Sequence, residues 1–447
     1  MVNYMKIRVF DEFEPEALAM LQALYSRSGE SVDAHAVKVA ERGAKKFMES
    51  YYVGYGHASI GDCGVTTLFI EGASMLACKA FQNNPLYSGQ ESSTRYIDFA
   101  QQKLVSPIDD PRCGEVQKKW IRFYLDLQAP LIEELSQRFP REPGQKETVW
   151  QKAIQAKAFD IARGFLPAGT STQFSWTTNF RQAAENLALL AHHPLAEVQL
   201  IAGQCIEALQ NKYPSSFSHQ EKTEVLEYNL NAAKKSAYDT ALDVPTSNSE
   251  FIYSMDINNS ELERTVLFEI SKRPRSAQLP RELQRFGSYD CKFLLDFGSF
   301  RDLQRHRNGY CAFPLLTDRL GFHNWYFDQL PKGIQQSAKD FVANQIRELQ
   351  SLRSELQFGD EEAQYYLPLG MNVSCHLRYS LPQMVYVSEL RSRKTVHPTL
   401  RWVAQQMART LTVHHPKLAV FADFDSDDFD IRRGDQDIVE RKIETVP

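Results

Sequence analysis

The sequence predicts an α+β protein made of two tandem, diverged halves, 1–240 and 241–447, and three observations carry that expectation. Long stretches with apolar residues at helical 3- and 4-spacings are interrupted by a few short β-rich runs such as Val65-Thr66-Thr67-Leu68-Phe69-Ile70. A Leu-Pro turn stands at Leu166-Pro167 and again at Leu367-Pro368, about one domain further on, as an internal duplication would place it. Between them, residues 215–260 are rich in Ser, Asn and Asp and read as a linker.

Length and composition set the outer bounds. A chain of 447 residues with 43% hydrophobic and 11% aromatic side chains can bury more than one core. Its net charge of −5 offers no global basic field for a nucleic-acid polymer, so any anion site must be local. No apolar run approaches a membrane span and the first residues do not lead into a signal-peptide core, so the expectation is a cytoplasmic protein without a membrane partner. The 7 cysteines form no CxxC pair, which argues against a zinc ribbon or disulfide framework. No metal site is expected.

Along the first half, Ile7-Arg8-Val9-Phe10 is a short strand candidate, and Glu14-Pro15-Glu16 starts a helix through Leu18, Leu21 and Leu24. Gly54-Tyr55-Gly56-His57-Ala58-Ser59-Ile60-Gly61-Asp62 is a glycine-punctuated turn before the Val65 strand, and the next helix, through Met75 and Leu76, ends near Asn83-Asn84-Pro85. Ser88-Gly89-Gln90-Glu91-Ser92-Ser93-Thr94-Arg95-Tyr96 then gathers donors, a carboxylate and a guanidinium fork, which suits a phosphate or a pyrimidine edge and equally describes a polar turn. Residues 115–163 read as long helices broken near Pro140 to Gly144, and Thr177-Thr178-Asn179-Phe180-Arg181 caps another. The pair His192-His193 marks a helix end, because adjacent helix positions point apart and cannot share a metal.

In the second half an apolar strand and helix, with the run Phe293 to Phe300 reading as buried, lead into Arg301-Asp302-Leu303-Gln304-Arg305-His306-Arg307. Helical spacing of Arg301, Asp302 and Arg305 would aim the guanidinium groups one way, at an anion. A later helix reaches Ser388-Glu389-Leu390-Arg391, and the acidic run Asp423 to Asp430 reads as a solvated tail.

Together these motifs resemble those of the flavin-dependent thymidylate synthases, each half being similar to one subunit of that family. The family pattern Arg-His-Arg-x-x-Ser-x-Asn-Glu-x-Ser-x-Arg-Tyr is split here. Its second part matches Ser88 to Tyr96, with Gln90 for Asn, while Asn83-Asn84-Pro85 stands in place of Arg-His-Arg; its first part matches Arg305-His306-Arg307, with no Ser-x-Arg-Tyr after it. His57, Ser59 and Asp62 resemble the family's flavin-side loop, with Asp for Glu. Asn179 and Arg181 match its Asn-x-Arg flavin contacts, with Ser380 and Pro382 as second-half counterparts. Arg163 matches the nucleotide arginine before the Leu-Pro turn, with Gln364 opposite, and the later nucleotide arginine falls on Arg391 and on Leu190.

The resemblance implies two tandem domains, each a small twisted sheet with packed helices, and reductive methylation of dUMP to dTMP with FAD, NADPH and methylenetetrahydrofolate. Glu91, Ser93, Thr94, Arg95 and Arg163 from a first half and Asp302, Arg305 and Arg391 from a second would complete one nucleotide site, while the reciprocal pairing lacks both sets. Arg305, Arg391 and His57 would serve the chemistry, and Ser59, Asp62, Asn179, Arg181, His306 and Arg307 the flavin. A homodimer would imitate the family's homotetramer. The departures Gln90, Thr94, Asp302 and Glu185 leave open a related enzyme for another pyrimidine nucleotide, and a non-catalytic nucleotide-binding relative also fits.

Overall fold

A computed structural model describes residues 12–28, 31–54, 58–94, 99, 102–218, 223–239 and 245–425. The strand candidate at 7–10, His57, Arg95 and the acidic run beyond 425 lie outside them. The described chain mixes helices with small sheets, as the α+β expectation requires. It divides into two compact units that do not follow chain order. One takes residues up to 73, 77–92 and 172–237; the other takes 74–76, 93–171 and everything from 238 on. One crossing between the units falls after Ala237, and residues 93–171 fold with the unit that holds the later part of the chain.

In the first unit, helix Pro15–Tyr25 opens on a proline whose missing N–H costs nothing there, and Val32–Arg42 is capped by the Ser31 hydroxyl on the Ala34 amide. Strand β1 (Val65–Ser74) pairs with β2 (Ser171–Asn179). The sequence reading had only the end of β2, as a helix cap. Its alternation is nevertheless present, with Phe174 and Trp176 buried between more exposed neighbours. The segment Ser88 to Glu91 runs along β2, with bridges from Ser88 to Thr177 and from Glu91 to Phe174. Gly89 permits that approach, since a Cβ there would stand 1.8 Å from the Ser175 carbonyl oxygen.

In the second unit, helices Pro111–Asp126, Gln128–Arg138 and Glu147–Ala162 precede the sheet. Strands β3 (Phe251–Met255), β4 (Ser288–Asp296), β5 (Tyr310–Cys311) and β6 (Asn372–Ser380) pair antiparallel in the order β3-β4-β6-β5, with Phe293 opposite both Phe251 and Cys375. The long helix Lys332–Leu356 and the pair Leu381–Arg391 and Pro398–His414 complete the unit.

The run from Phe293 to Phe300 divides into strand and helix, as expected, where the Asp296 carboxylate accepts from the Ser299 amide at 2.8 Å and starts helix Phe297–Leu303. Arg305, His306 and Arg307 therefore lie beyond a helix end, while Arg301 is buried with a guanidinium nitrogen 3.3 Å from the Met75 sulfur. The expected linker contains helix Thr223–Ser236 and β3; the helix buries only Ala233, although Leu226, Leu230 and Ala233 stand at helical spacing. The acidic tail is not wholly solvated, since Asp423 pairs with the buried Arg401 at 3.5 Å.

The two Leu-Pro turns meet inside the second unit. Ala168 N donates to Leu367 O at 2.8 Å while Leu369 N donates to Leu166 O at 2.8 Å, and Gly169 N reaches Tyr365 O at 3.0 Å while Gly370 N reaches Gly164 O at 2.7 Å. Each bond has a mate at one constant spacing along the chain, the pattern of a two-fold axis. The same spacing relates the short turns Arg163–Phe165 and Gln364–Tyr366, β2 and β6, and helices Phe180–Leu190 and Leu381–Arg391.

Candidate nucleotide and flavin site

The start of helix Phe297–Leu303 is the most elaborate polar cluster among the described residues. Beyond capping Ser299, Asp296 accepts from the Tyr326 hydroxyl at 2.8 Å and from the Thr399 hydroxyl at 2.6 Å. Ser299 Oγ lies 2.8 Å from Thr399 Oγ1, 3.1 Å from His397 Nδ1 and 3.2 Å from Arg163 Nη2. Burial drives the Tyr326 phenol well above its ordinary range, so it remains a donor. Arg163 is 3% exposed. Burial works against its charge, and Tyr326, Asp160, Asp302 and Asp296 together hold its affinity for a proton above that of an ordinary arginine.

At the far end of that helix, Asp302 leads into the Arg305-His306-Arg307 turn. Arg391, in the last turn of helix Leu381–Arg391, donates from Nε to His306 Nε2 at 2.7 Å and from Nη2 to the Asp302 carbonyl at 2.9 Å. The imidazole must accept there, so its proton sits on Nδ1. Burial, reinforced by the Arg391 charge, pushes the His306 pKa down to about 3, and the ring is neutral at any ordinary working pH. It stands edge-to-face with the half-exposed Tyr386 ring, with 5.9 Å between centroids. The Arg305 side chain is 51% exposed and stands 3.6 Å from Asp302.

Arg163, Asp302, Arg305, His306 and Arg391 thus all lie in the second unit, gathered along one short helix and the turn after it. Ser93 and Thr94 belong to the same unit, half-buried and buried. Glu91 is placed differently, in the first unit, where its carboxylate meets Lys79 at 2.6 Å and Gln82 at 3.2 Å with both charged side chains almost fully enclosed, at 0% and 2% exposure.

Two of the expected flavin contacts of the first unit hold each other. Arg181 grips Asp62 through two bonds of 2.8 Å, and Asn179 caps helix Phe180–Leu190 by accepting from Gln182 N at 2.9 Å. Ser59 is exposed in the helical turn Ala58–Gly61. Nearby, burial, Glu185 and Asp62 push the Tyr52 phenol up to about 12.

Sequence reasoning missed Lys79, Asp296, Ser299, Tyr326, His397 and Thr399. An aspartate between a β-rich run and Phe-Gly-Ser was a readable cap signal, whereas nothing local ties Tyr326, His397 or Thr399 to it.

Residues 8–215 match the family model described as Thy1, thymidylate synthase complementing protein. A flavin-dependent thymidylate synthase of Corynebacterium diphtheriae is 26% identical over 172 residues, covering 37% of this chain and 65% of that one. Two UPF0159 proteins are similar along almost the whole chain. That of Chlamydia pneumoniae is 24% identical over 455 residues, 88% of this chain and 83% of its own; that of Thermoplasma acidophilum is 20% identical over 482 residues, 92% and 96%. The UPF0159 alignments run about twice the length of the Thy1 match, as a fused form of two Thy1-like halves would. The reciprocal turn bonds repeat at one constant spacing along the chain, as a duplication would give.

Proposed function

We propose that this chain converts dUMP to dTMP by flavin-dependent reductive methylation, in keeping with its Thy1 relationship. The methylene carbon of methylenetetrahydrofolate bonds to uracil C5, the C5 proton leaves to solvent and tetrahydrofolate departs. FAD, when bound, carries the hydride from NADPH that completes the methyl group. The observation that supports the reading is the gathering of Arg163, Asp302, Arg305, His306 and Arg391 on one helix and turn, although Arg163 stands more than a hundred residues from the others in sequence.

The chemistry of these groups fits anionic ligands. Exposed Arg305 and half-buried Arg307 offer planar forks to phosphate or pyrophosphate oxygens, and Arg391 is already oriented by His306 and the Asp302 carbonyl. Arg163, enclosed behind the same helix, contributes a fixed positive field that needs no reorganisation as negative charge develops on the uracil ring. Neutral His306 keeps Arg391 pointed without adding a competing charge. Asn179, Arg181, Ser59 and Asp62 are assigned to the flavin, with His57 and Arg95 kept in their flavin-side and nucleotide roles.

The domain reading follows as part of the proposal: two Thy1-like halves, meeting near residue 240, specialise so that one nucleotide set is complete, and a homodimer provides two such sets. A second reading, methylation of a different pyrimidine nucleotide, is favoured by Glu91, whose carboxylate is held by Lys79 and Gln82. Purified protein should be yellow, should bleach with NADPH and should release tritium from C5-labelled dUMP. Colourless protein that FAD does not reconstitute would sink the flavoenzyme reading, and a yellow protein inert to dUMP but active on another pyrimidine nucleotide would select the second.

A further inference from the structure

Helix Leu381–Arg391 ends without a glycine cap, and the last turn of such a helix frays unless its orphan carbonyls and side chains are held. Here the chain's own C-terminal segment holds it. Glu389 Oε1 accepts from the Phe421 amide at 2.9 Å, and Ser392 Oγ accepts from the Asp423 amide at 2.9 Å. Two nearly enclosed arginines pin the segment from the other side. Arg273, its side chain 4% exposed, pairs with Glu389, donates to the Ala419 carbonyl at 2.7 Å and lies over the Phe421 ring at 5.1 Å. Arg401, its side chain 3% exposed, donates to the Ser392 carbonyl at 3.0 Å and to the Asp425 carbonyl, and pairs with Asp423. Gln405 Nε2 adds a bond to the Asp423 carbonyl at 3.2 Å.

Glu389 and Ser392, which the segment grips, flank Arg391, whose guanidinium holds His306 and the Asp302 carbonyl. We propose that residues 418–425 are a strap that positions Arg391, and through it the 302–307 turn, for the nucleotide; Glu389, Ser392 and Arg401 are positioning residues. The nucleotide part rests on the function proposed above, while the mechanical part does not. A long side chain at a fraying helix end would sample many rotamers, and misplacing such a group by about 1 Å can cost two orders of magnitude in rate. Anchoring the residues on both sides of Arg391 removes that freedom. The strap also gives the chain a means of control, since whatever lifts 418–425 would loosen the anion-binding turn without touching it.

The test compares the full chain with Ser392→Ala, Arg401→Met and a chain ending at Lys417. Amide hydrogen exchange in 302–307 is read without nucleotide, and KM and kcat for dUMP are read alongside bound FAD and the melting temperature. The strap predicts faster exchange at 302–307 in all three variants and a KM for dUMP raised about tenfold, with FAD content retained. Ser392→Ala removes the bond from the Asp423 amide and a long one of 3.4 Å to the Glu389 carbonyl, and stays folded even if the other two do not. Unchanged exchange at 302–307 in a folded variant overturns the strap. Loosened exchange with unchanged KM overturns its part in nucleotide binding. If the intact chain ignores dUMP while exchange still responds, the mechanical coupling stands and the dUMP reading falls.

Discussion

Replacing Lys79 by methionine tests how the enclosed ion pair of the first unit is built. Lys79 Nζ lies 2.6 Å from Glu91 Oε2 and 2.5 Å from Gln82 Oε1, and both charged side chains are out of solvent. Lys79→Met keeps most of the volume but removes the cation that meets the enclosed Glu91 carboxylate, which still accepts from Gln82 at 3.2 Å. Removing one partner of a buried pair costs about 3–5 kcal/mol, because the other charge is left uncompensated. At roughly 2–4 °C per kcal/mol for a body of 150–250 residues, the first unit's transition should fall by some 6–20 °C. The double variant Lys79→Met, Glu91→Leu should recover most of that loss, since an apolar pair of similar size in a closed site is often as stable as the ion pair. Calorimetry or denaturant unfolding, with near-ultraviolet circular dichroism on Trp176 to follow this unit, gives the readout. A loss under about 1 kcal/mol for Lys79→Met, the value of an exposed pair, would refute the burial argument, and so would a double variant no better than the single one.

Arg391→Met should weaken dUMP binding by about 10–100-fold, the loss of charged hydrogen bonds worth about 1.5–3 kcal/mol. It should also raise the His306 pKa from about 3 towards its ordinary value, visible by NMR titration of the ring. Stability should fall as pH drops from about 6.5 towards 4, because burial keeps His193 near 4 and His306 near 3 while the unfolded chain takes up those protons near 6.5. His306→Asn should flatten its share of that slope in denaturant titrations at pH 7 and 5. Asn179→Ala removes the cap on Gln182 and should cost about 1 kcal/mol, with bound FAD reduced if the side chain also meets the flavin. Mixed Arg95→Ala and Arg305→Ala chains should regain part of the activity only if the working site forms between chains; no recovery places it within one.

The legible parts of this chain were those whose cause is local. Proline at the start of helix Pro15–Tyr25, Asn179 as a cap, the break after Gln82 and the helix end at His192-His193 follow from residue chemistry within one turn. Helix Thr223–Ser236 lies in a stretch whose Ser, Asn and Asp content reads as linker, although Leu226, Leu230 and Ala233 keep helical spacing within it. The run at Phe293 reads as strand and helix, but the junction is not marked by composition, because a buried strand and a buried helix start are equally apolar and only the Asp296 cap separates them. The pairing of Arg163 with Ser299, Lys79 with Glu91, and the hold of 418–425 on Glu389 are tertiary facts that no spacing announces. What the sequence could offer for the site was a resemblance that set Arg163, Asp302, Arg305 and Arg391 together, and all four lie in the same compact unit.

The mated hydrogen bonds of the two Leu-Pro turns bear on how such a chain can change. In an oligomer of identical subunits every substitution is made at all equivalent positions at once, and one that helps a site from one side can harm it from the other. Once the two copies are joined, each position mutates alone while the shared backbone contact at 164–169 and 365–370 keeps the geometry in register. Arginine can then persist at 163 while glutamine fills 364, and leucine can occupy 190 while arginine remains at 391. The axis that once enforced sameness becomes the scaffold on which a division of labour is inherited.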